Sequence, residues 1–269
     1  MDFETLTLNV DGVETVVKVI GRGPDVLALH GIATLEGYDW ARGLADRFRV
    51  YLPFHPGFGD SGPAPHIAGM ADLVIHNLRL LDALHLGKPH LVGHSMGGWM
   101  AAETAAFAGE RFAKLVLNAP SGLNHPDHPA TDLASVAPQD LPGYLAHDVD
   151  VALRYFPGGS EAPPPEVFGA AREKEGAAAG NILKVHGMGH PNLLRWLSRI
   201  PNETLIVWGD QDRLLPASQA GVWAAAMPKA RVHIVHGAGH FAMQEDPATV
   251  TVIGDFLAGQ GSSGIFPNG

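Results

Sequence analysis

Ser95 stands between two glycines in the stretch Gly93-His94-Ser95-Met96-Gly97, where the apolar run "HLVGH" gives way to the helix-like "MGGWMAAE". A serine hydroxyl is a weak nucleophile at neutral pH unless an adjacent base takes its proton and a third group orients that base. The spacing G-x-S-x-G serves such a hydroxyl when a strand precedes it and a helix follows. The sharp turn then lifts the side chain above the sheet edge, and side chains at 93 and 97 would collide with the neighbouring strand and helix. The helix also points the positive end of its dipole at the site. The chemistry this suits is attack on a carbonyl carbon. The competing reading is a glycine-rich turn with a solvated serine, and the flanking elements decide between the two.

Bases and acids are available further along the chain. "RVHIVHGAGHFAMQEDP" carries His233, His236 and His240, and "LIVWGDQDRLLP" carries Asp210 and Asp212. Fifteen histidines also raise the question of a metal, with His125 and His128 in "HPDHP" as the pair to consider. They lack a third ligand of clear spacing and read as a surface loop, so no metal and no cofactor are expected.

These residues must be positioned by regular elements. "FETLTLNV" and "VETVVKVI" predict a hairpin turning at Asp11-Gly12, a dipeptide that accepts positive φ. Short apolar runs of the kind found in strands buried on both faces follow at "DVLALHG", "RVYLPF", "HLVGH", "KLVLNAP", "LIVWGD" and "RVHIVHG". Between them lie helical patterns. The clearest is "MADLVIHNLRLLDALHLG", where Met70, Leu73, Val74, Leu78, Leu81 and Leu84 recur at helical spacing before Gly87. Strands alternating with helices predict an α/β fold with a mostly parallel sheet. The alternation stops after Pro120. Residues 121–200 are rich in Pro, Gly, Ala and His, with helical pieces such as "LPGYLAHDVDVALRYF" and "HPNLLRWLSRI", and predict an inserted helical lid. Phe156, Phe168, Leu193, Leu194 and Trp196 there suit either a pocket roof or packing of the lid onto the core. The organisation expected is a core over 1–120 and 201–259, the lid over 121–200, and a flexible tail over 260–269.

Composition sets outer bounds. The 269 residues carry 18 basic and 28 acidic side chains, a net charge of −10, which opposes binding to nucleic acid or anionic lipid. There is no cysteine, so disulfides and thiolate nucleophiles are excluded. No run approaches the roughly 20 apolar residues of a membrane span. "MDFETLTLNV" has neither a basic nor an apolar leader pattern, so a cytoplasmic location is expected.

With its landmarks in order from about Gly21 to Leu257, the chain resembles the α/β-hydrolase superfamily, in its serine-nucleophile esterase-like branch. The resemblance implies an eight-stranded, mostly parallel sheet with Ser95 following the fifth strand. It implies a base on the loop after the last strand, which selects His240 in its G-x-G-H setting. It places the acid three residues after the glycine ending the preceding strand, which selects Asp212 and leaves Asp210 as a turn residue bonding backbone N–H groups. It also implies an oxyanion hole made by the backbone N–H groups of Met96 and of Ile32, in "LALHGIATLEG". His30 and His94 take structural roles, as does Asp60 in "FHPGFGDSGP", where it is expected to bond backbone.

A serine at this corner argues against the haloalkane dehalogenases and epoxide hydrolases of the superfamily, which use aspartate there. The expected activity is a serine hydrolase cleaving carboxylic esters of small to medium apolar substrates through an acyl-enzyme. The alternatives are a carbon–carbon bond hydrolase of ring-cleavage products and a non-turnover small-molecule sensor. The first of these often carries a tryptophan after the histidine and a lid arginine that meets a substrate carboxylate. This chain has Phe241, with Arg154, Arg172 and Arg195 as unassigned arginines. The expected partner is a small-molecule ester or related acyl compound, and a homodimer is the assembly left open.

Overall fold

Alternate residues of the central strands point into two separate cores, as the two-residue period of a strand requires. In β3 (Asp25–Leu29), Leu27 and Leu29 enter one core while Val26 and Ala28 enter the other. The same division holds in β6 (Lys114–Asn118), with Leu115 and Leu117 against Val116, and in β7 (Glu203–Gly209), with Ile206 and Trp208 against Leu205 and Val207. These continuous apolar runs are therefore strands covered on both faces, whereas the run "RVHIVHG", expected to be buried likewise, forms the edge strand of the sheet and buries only Val235 fully. The computed structural model describes residues 1–35 and 37–260. The expected tail from 261 onward lies outside the described residues.

The sheet has eight strands in the order β1-β2-β4-β3-β5-β6-β7-β8. β1 (Glu4–Val10) and β2 (Val13–Gly21) form the expected hairpin, with φ of 51° at Asp11 and 83° at Gly12, and Gly12 N–H donating to Asn9 Oδ1 at 2.9 Å. β2 pairs antiparallel with β4 (Arg49–Pro53), and from there the sheet is parallel through β3, β5 (His90–His94), β6, β7 and β8 (Ala230–Val235). All parallel strands thus end on one edge, where loops can converge.

Helix α1 (Met70–Ala83) buries Met70, Leu73, Leu80 and Leu81 against the first core. It ends four residues before Gly87, because His85 takes φ 54° and Leu86 N–H turns back to Leu81 O. Helix α2 (Met96–Ala108) follows β5 directly, and almost every residue of it is buried. Between β6 and β7 the chain forms α3 (Pro142–Leu145), α4 (Val149–Leu153), α5 (Pro165–Leu183) and α6 (Leu193–Leu197). The stretch 141–156 is broken at Ala146 and His147, and Asp148 caps α4 by accepting from Asp150 N–H at 3.1 Å. α7 (Gln219–Ala226), α8 (Ala242–Glu245) and α9 (Ala248–Leu257) complete the chain, with Val250, Ile253 and Leu257 of α9 closing the second core. Among the described residues no helix is long and apolar enough to cross a membrane.

Candidate active site

β5 runs straight into α2 through Ser95, whose backbone sits at φ 54° and ψ −119°. A non-glycine residue there carries a cost of about 1–3 kcal/mol and persists only where its surroundings impose it. Here three backbone hydrogen bonds impose it: Ser95 N–H to Asn118 O at 3.0 Å, Ser121 N–H to Ser95 O at 3.0 Å, and Trp99 N–H to Ser95 O at 3.1 Å. The flanking glycines are sterically required. A Cβ on Gly93 would lie 2.3 Å from Gly97 O, and one on Gly97 would lie 2.3 Å from Leu29 O and 2.4 Å from His30 O. Met96 opens α2, so its N–H is one of the amides a helix leaves without an intrahelical partner.

β7 and β8 deliver the carboxylate and the imidazole. β7 stops at Gly209, where a Cβ would meet Ala238 O at 2.2 Å, so the glycine lets the two following loops close on each other. Asp212 Oδ1 accepts from Leu214 N–H and Leu215 N–H, both at 2.9 Å, and its Oδ2 lies 2.8 Å from His240 Nδ1. The side chains of His240 and Asp212 are 2% and 0% exposed. A carboxylate so buried must be compensated by donors, and three are in place. Phe241 N–H donates to Leu145 O at 2.8 Å, tying the histidine loop to the segment between β6 and β7.

The other candidates separate from this group. Asp210 accepts from Gly237 N–H at 2.9 Å, as a turn residue would, and also pairs with His236 Nδ1 at 2.8 Å. That hydrogen bond holds the Asp210 carboxyl below the usual carboxylate range. His236 is largely in solvent, and His233 lies half-buried on β8. His125 and His128 stack at 5.0 Å, and His128 Nδ1 meets Ser218 Oγ at 2.9 Å.

His30 and His94 are fixed by hydrogen bonds, and those of His30 also set its tautomer. His30 Nδ1 donates to Gly31 O at 2.8 Å while its Nε2 accepts from His55 N–H at 3.0 Å, and burial pushes its pKa down to about 3. His94 Nδ1 accepts from Asn118 Nδ2 at 2.9 Å, and burial, followed by the neighbouring His240, drives its pKa well below the ordinary histidine value. Both are neutral rings. His94 lies 4.7 Å from His240 between ring centres. In the loop after β4 the bonding expected of Asp60 falls to its neighbour: Asp60 is exposed, and buried Ser61 accepts from Val16 N–H and donates to Phe54 O.

Ser95, His94, His240 and Phe241 line a cavity of about 240 Å³ together with Gly31, Ile32 and Leu35 from the loop after β3. The segment between β6 and β7 supplies Leu133, Leu141 and Leu145, and α5 adds Arg172, Glu175 and Ala179. Phe156, Leu193 and Trp196 of that segment, with Phe168 of α5, do other work. Leu193 is fully buried, within reach of a Cβ on Gly122. Trp196 stacks on Phe107 at 5.2 Å, and Phe156 stacks on Phe168 at 5.8 Å. Arg172 and Glu175 are the cavity residues that motif reasoning misses or leaves unassigned. Among the described residues no group of three or more His, Asp or Glu side chains could hold a metal ion.

Residues 26–252 match the family model described as the alpha/beta hydrolase family. The chain belongs to the alpha/beta hydrolase family. Its relatives include a poly(3-hydroxyalkanoate) depolymerase from Ectopseudomonas oleovorans, 28% identical, covering 95% of this chain and 92% of that protein. A 2-hydroxymuconate semialdehyde hydrolase from Pseudomonas sp. (strain CF600) is 28% identical over 92% of this chain and 91% of its own length. Among solved structures, a bacterial membrane phospholipase A has a TM-score of 0.81 at 25% identity, covering 97% of this chain and 87% of that chain. A meta-cleavage product hydrolase from Pseudomonas fluorescens IP01 has a TM-score of 0.78 at 22% identity over 94% and 97% of the two chains, a likeness of fold.

Proposed function

We propose that this alpha/beta hydrolase is a carboxylic-ester hydrolase with Ser95 as nucleophile, His240 as base and Asp212 as the acid that orients it. The observation that carries the reading is the buried 2.8 Å Asp212–His240 pair, whose imidazole lines the same cavity as a serine held at strained backbone angles. Ser95 Oγ adds to the ester carbonyl carbon as His240 Nε2 takes its proton, and the carbonyl electron pair moves to the oxygen. The N–H groups of Met96 and Ile32 stabilise that oxyanion. Collapse breaks the bond to the alcohol oxygen, which leaves with the proton from His240. Water repeats the sequence on the acyl-enzyme, releasing the acid and restoring Ser95.

Residues 121–200 act in this reading as a helical lid, since they supply much of the cavity wall. A cavity of about 240 Å³ lies under the roughly 300–1,000 Å³ of drug-sized sites and suits small to medium acyl groups.

A second reading, hydrolysis of a carbon–carbon bond in a ring-cleavage product, draws on the similarity to 2-hydroxymuconate semialdehyde hydrolase and on Arg172 in the cavity wall. Arg172 NH2, however, lies 2.7 Å from Glu175, so its charge is already compensated, which favours neutral acyl substrates. The test is a set of p-nitrophenyl esters from acetate to octanoate beside a 2-hydroxy-6-oxo-dienoate. The ester reading requires the highest kcat/KM on a p-nitrophenyl ester, and a higher value on the dienoate would replace it with the second.

A further inference from the structure

Helix α5 covers the cavity with few large side chains. The residues it buries are Glu175, Ala179 and Ile182, so apolar packing alone specifies its position weakly. The buried carboxylate supplies what packing does not. Glu175 Oε1 accepts from Thr34 Oγ1 at 2.6 Å and from Gly59 N–H at 3.0 Å, and Oε2 accepts from Thr34 N–H at 3.0 Å. Arg172, one turn earlier on the helix, adds an ion pair at 2.7 Å, and the Glu175 side chain is 2% exposed. Three chain segments therefore meet at one carboxylate: α5, the loop after β3 and the loop after β4. Lys174 reinforces the last contact by donating to Gly59 O at 2.7 Å and Ser61 O at 2.8 Å.

Thr34 is two residues beyond Ile32, in a loop that belongs to no helix or strand. Its backbone N–H and its hydroxyl both end on Glu175. A loop segment without secondary structure holds one conformation only where such bonds impose it. Without the carboxylate, two backbone N–H groups and a hydroxyl lose their acceptor, and the loop carrying Ile32 loses its tether to the helix above.

We infer that Glu175 is a positioning residue that makes the docking of α5 and the ordering of the oxyanion loop a single event. The inference rests on the reading above in which Ile32 N–H stabilises the oxyanion. Docked α5 closes the cavity and, through Thr34, fixes the loop that carries that donor. Undocked α5 leaves Ser95 and His240 in place but the oxyanion donor free to wander. An oxyanion donor displaced by an ångström or so loses most of its effect on the transition state while substrate binding changes little.

The test compares wild type with Glu175→Gln, Glu175→Ala and Thr34→Val. Each protein is titrated with a fluorophosphonate to count reactive Ser95, with the labelled peptide identified by mass spectrometry. The value of kcat on p-nitrophenyl butyrate is then expressed per titrated site, which corrects for any misfolded fraction. Glu175→Ala should lower kcat per site by about 10- to 100-fold with KM within about threefold. Glu175→Gln, which keeps one acceptor oxygen, should fall between it and wild type. Thr34→Val, which removes only the hydroxyl, should lose about threefold or more. Unchanged kcat per titrated site in Glu175→Ala overturns the inference, and if that variant fails to fold, an unchanged value in Thr34→Val does so. A wild type that is not labelled at Ser95 overturns the nucleophile assignment instead, and the inference with it.

Discussion

His240 Nδ1 lies 2.8 Å from Asp212 Oδ2, and both side chains are almost wholly shielded from water. Two residues before Asp212, Asp210 makes a contact of the same length with His236, yet His236 is 87% exposed. Distance does not distinguish the two pairs; environment does. In solvent an ion pair of this kind is worth little, whereas burial makes the carboxylate's hold on one imidazole tautomer strong and permanent.

Asp212→Asn should therefore lower kcat by about 10³- to 10⁴-fold, because an amide opposite Nδ1 favours the wrong tautomer. Asp210→Asn should stay within about threefold of wild type, since it disturbs only an exposed turn. Steady-state kinetics on one p-nitrophenyl ester ranks the two. The reverse order would move the acid to Asp210.

The elbow glycines give a prediction about stability. Gly97→Ala places a methyl 2.3 Å and 2.4 Å from two backbone oxygens that cannot move independently of the sheet. Urea unfolding should show a loss of at least about 2 kcal/mol. Gly180→Ala is the control. It sits in the last turn of α5, on the exposed side, with nothing within 4 Å of the added methyl, and should gain up to about 0.5 kcal/mol. Equal effects at the two positions would remove the steric account of the corner.

Buried neutral histidines make stability depend on pH. Burial lowers the pKa of His30 to about 3 and of His76 and His90 to about 4, and drives those of His55 and His94 well below the ordinary value. The unfolded chain binds these protons near pH 6.5, and the folded chain does not. Unfolding therefore takes up protons, and stability falls as pH drops below about 6.5, each group contributing at most about 1.4 kcal/mol per pH unit. Above about pH 7 neither state is protonated and the contribution is constant. Calorimetry should show Tm dropping from about pH 6.5 to pH 5 and nearly level from about pH 7 to pH 8. A level Tm down to pH 5 would mean that these rings are hydrated and titrate normally.

Much of the sheet and the corner is legible in the amino-acid order because each element has a period or a steric signature. The central strands are unbroken apolar runs, α1 has a helical stripe, and Ser95 has glycines on both sides. α5 has none of these. Its buried face is Glu175, Ala179 and Ile182, so a search for apolar periodicity passes over it. The signal that was present is local: Pro165 at the first turn with Glu166 beside it, a helix start by backbone and dipole preference. Missing α5 also hides Glu175, because nothing in sequence spacing connects it to Thr34, 141 residues away. Of the two roles open to the large apolar residues of 121–200, packing is the one observed. Phe156, Phe168 and Trp196 stand out by size, but size marks what packs, and their rings stack on one another or on the core. Ser61 stands in for Asp60 because a hydroxyl both donates and accepts, which a strand-to-loop crossing needs and an ionised carboxylate cannot provide.

An enzyme of this design must release its acyl group, whereas a sensor would stop at an adduct. A short-chain p-nitrophenyl ester should accordingly give product far beyond one equivalent per chain. A burst of about one equivalent followed by silence would favour the sensor.

The nucleophile itself is tested by acid-quenching the protein during turnover of p-nitrophenyl butyrate and weighing it intact. Wild type should carry one butyryl group, about 70 Da, mapping to the peptide that holds Ser95. Ser95→Ala should remain folded, carry none, and lose turnover by about 10⁴-fold or more. An acyl group on another residue, or an acylated and active Ser95→Ala, would contradict the assignment of Ser95.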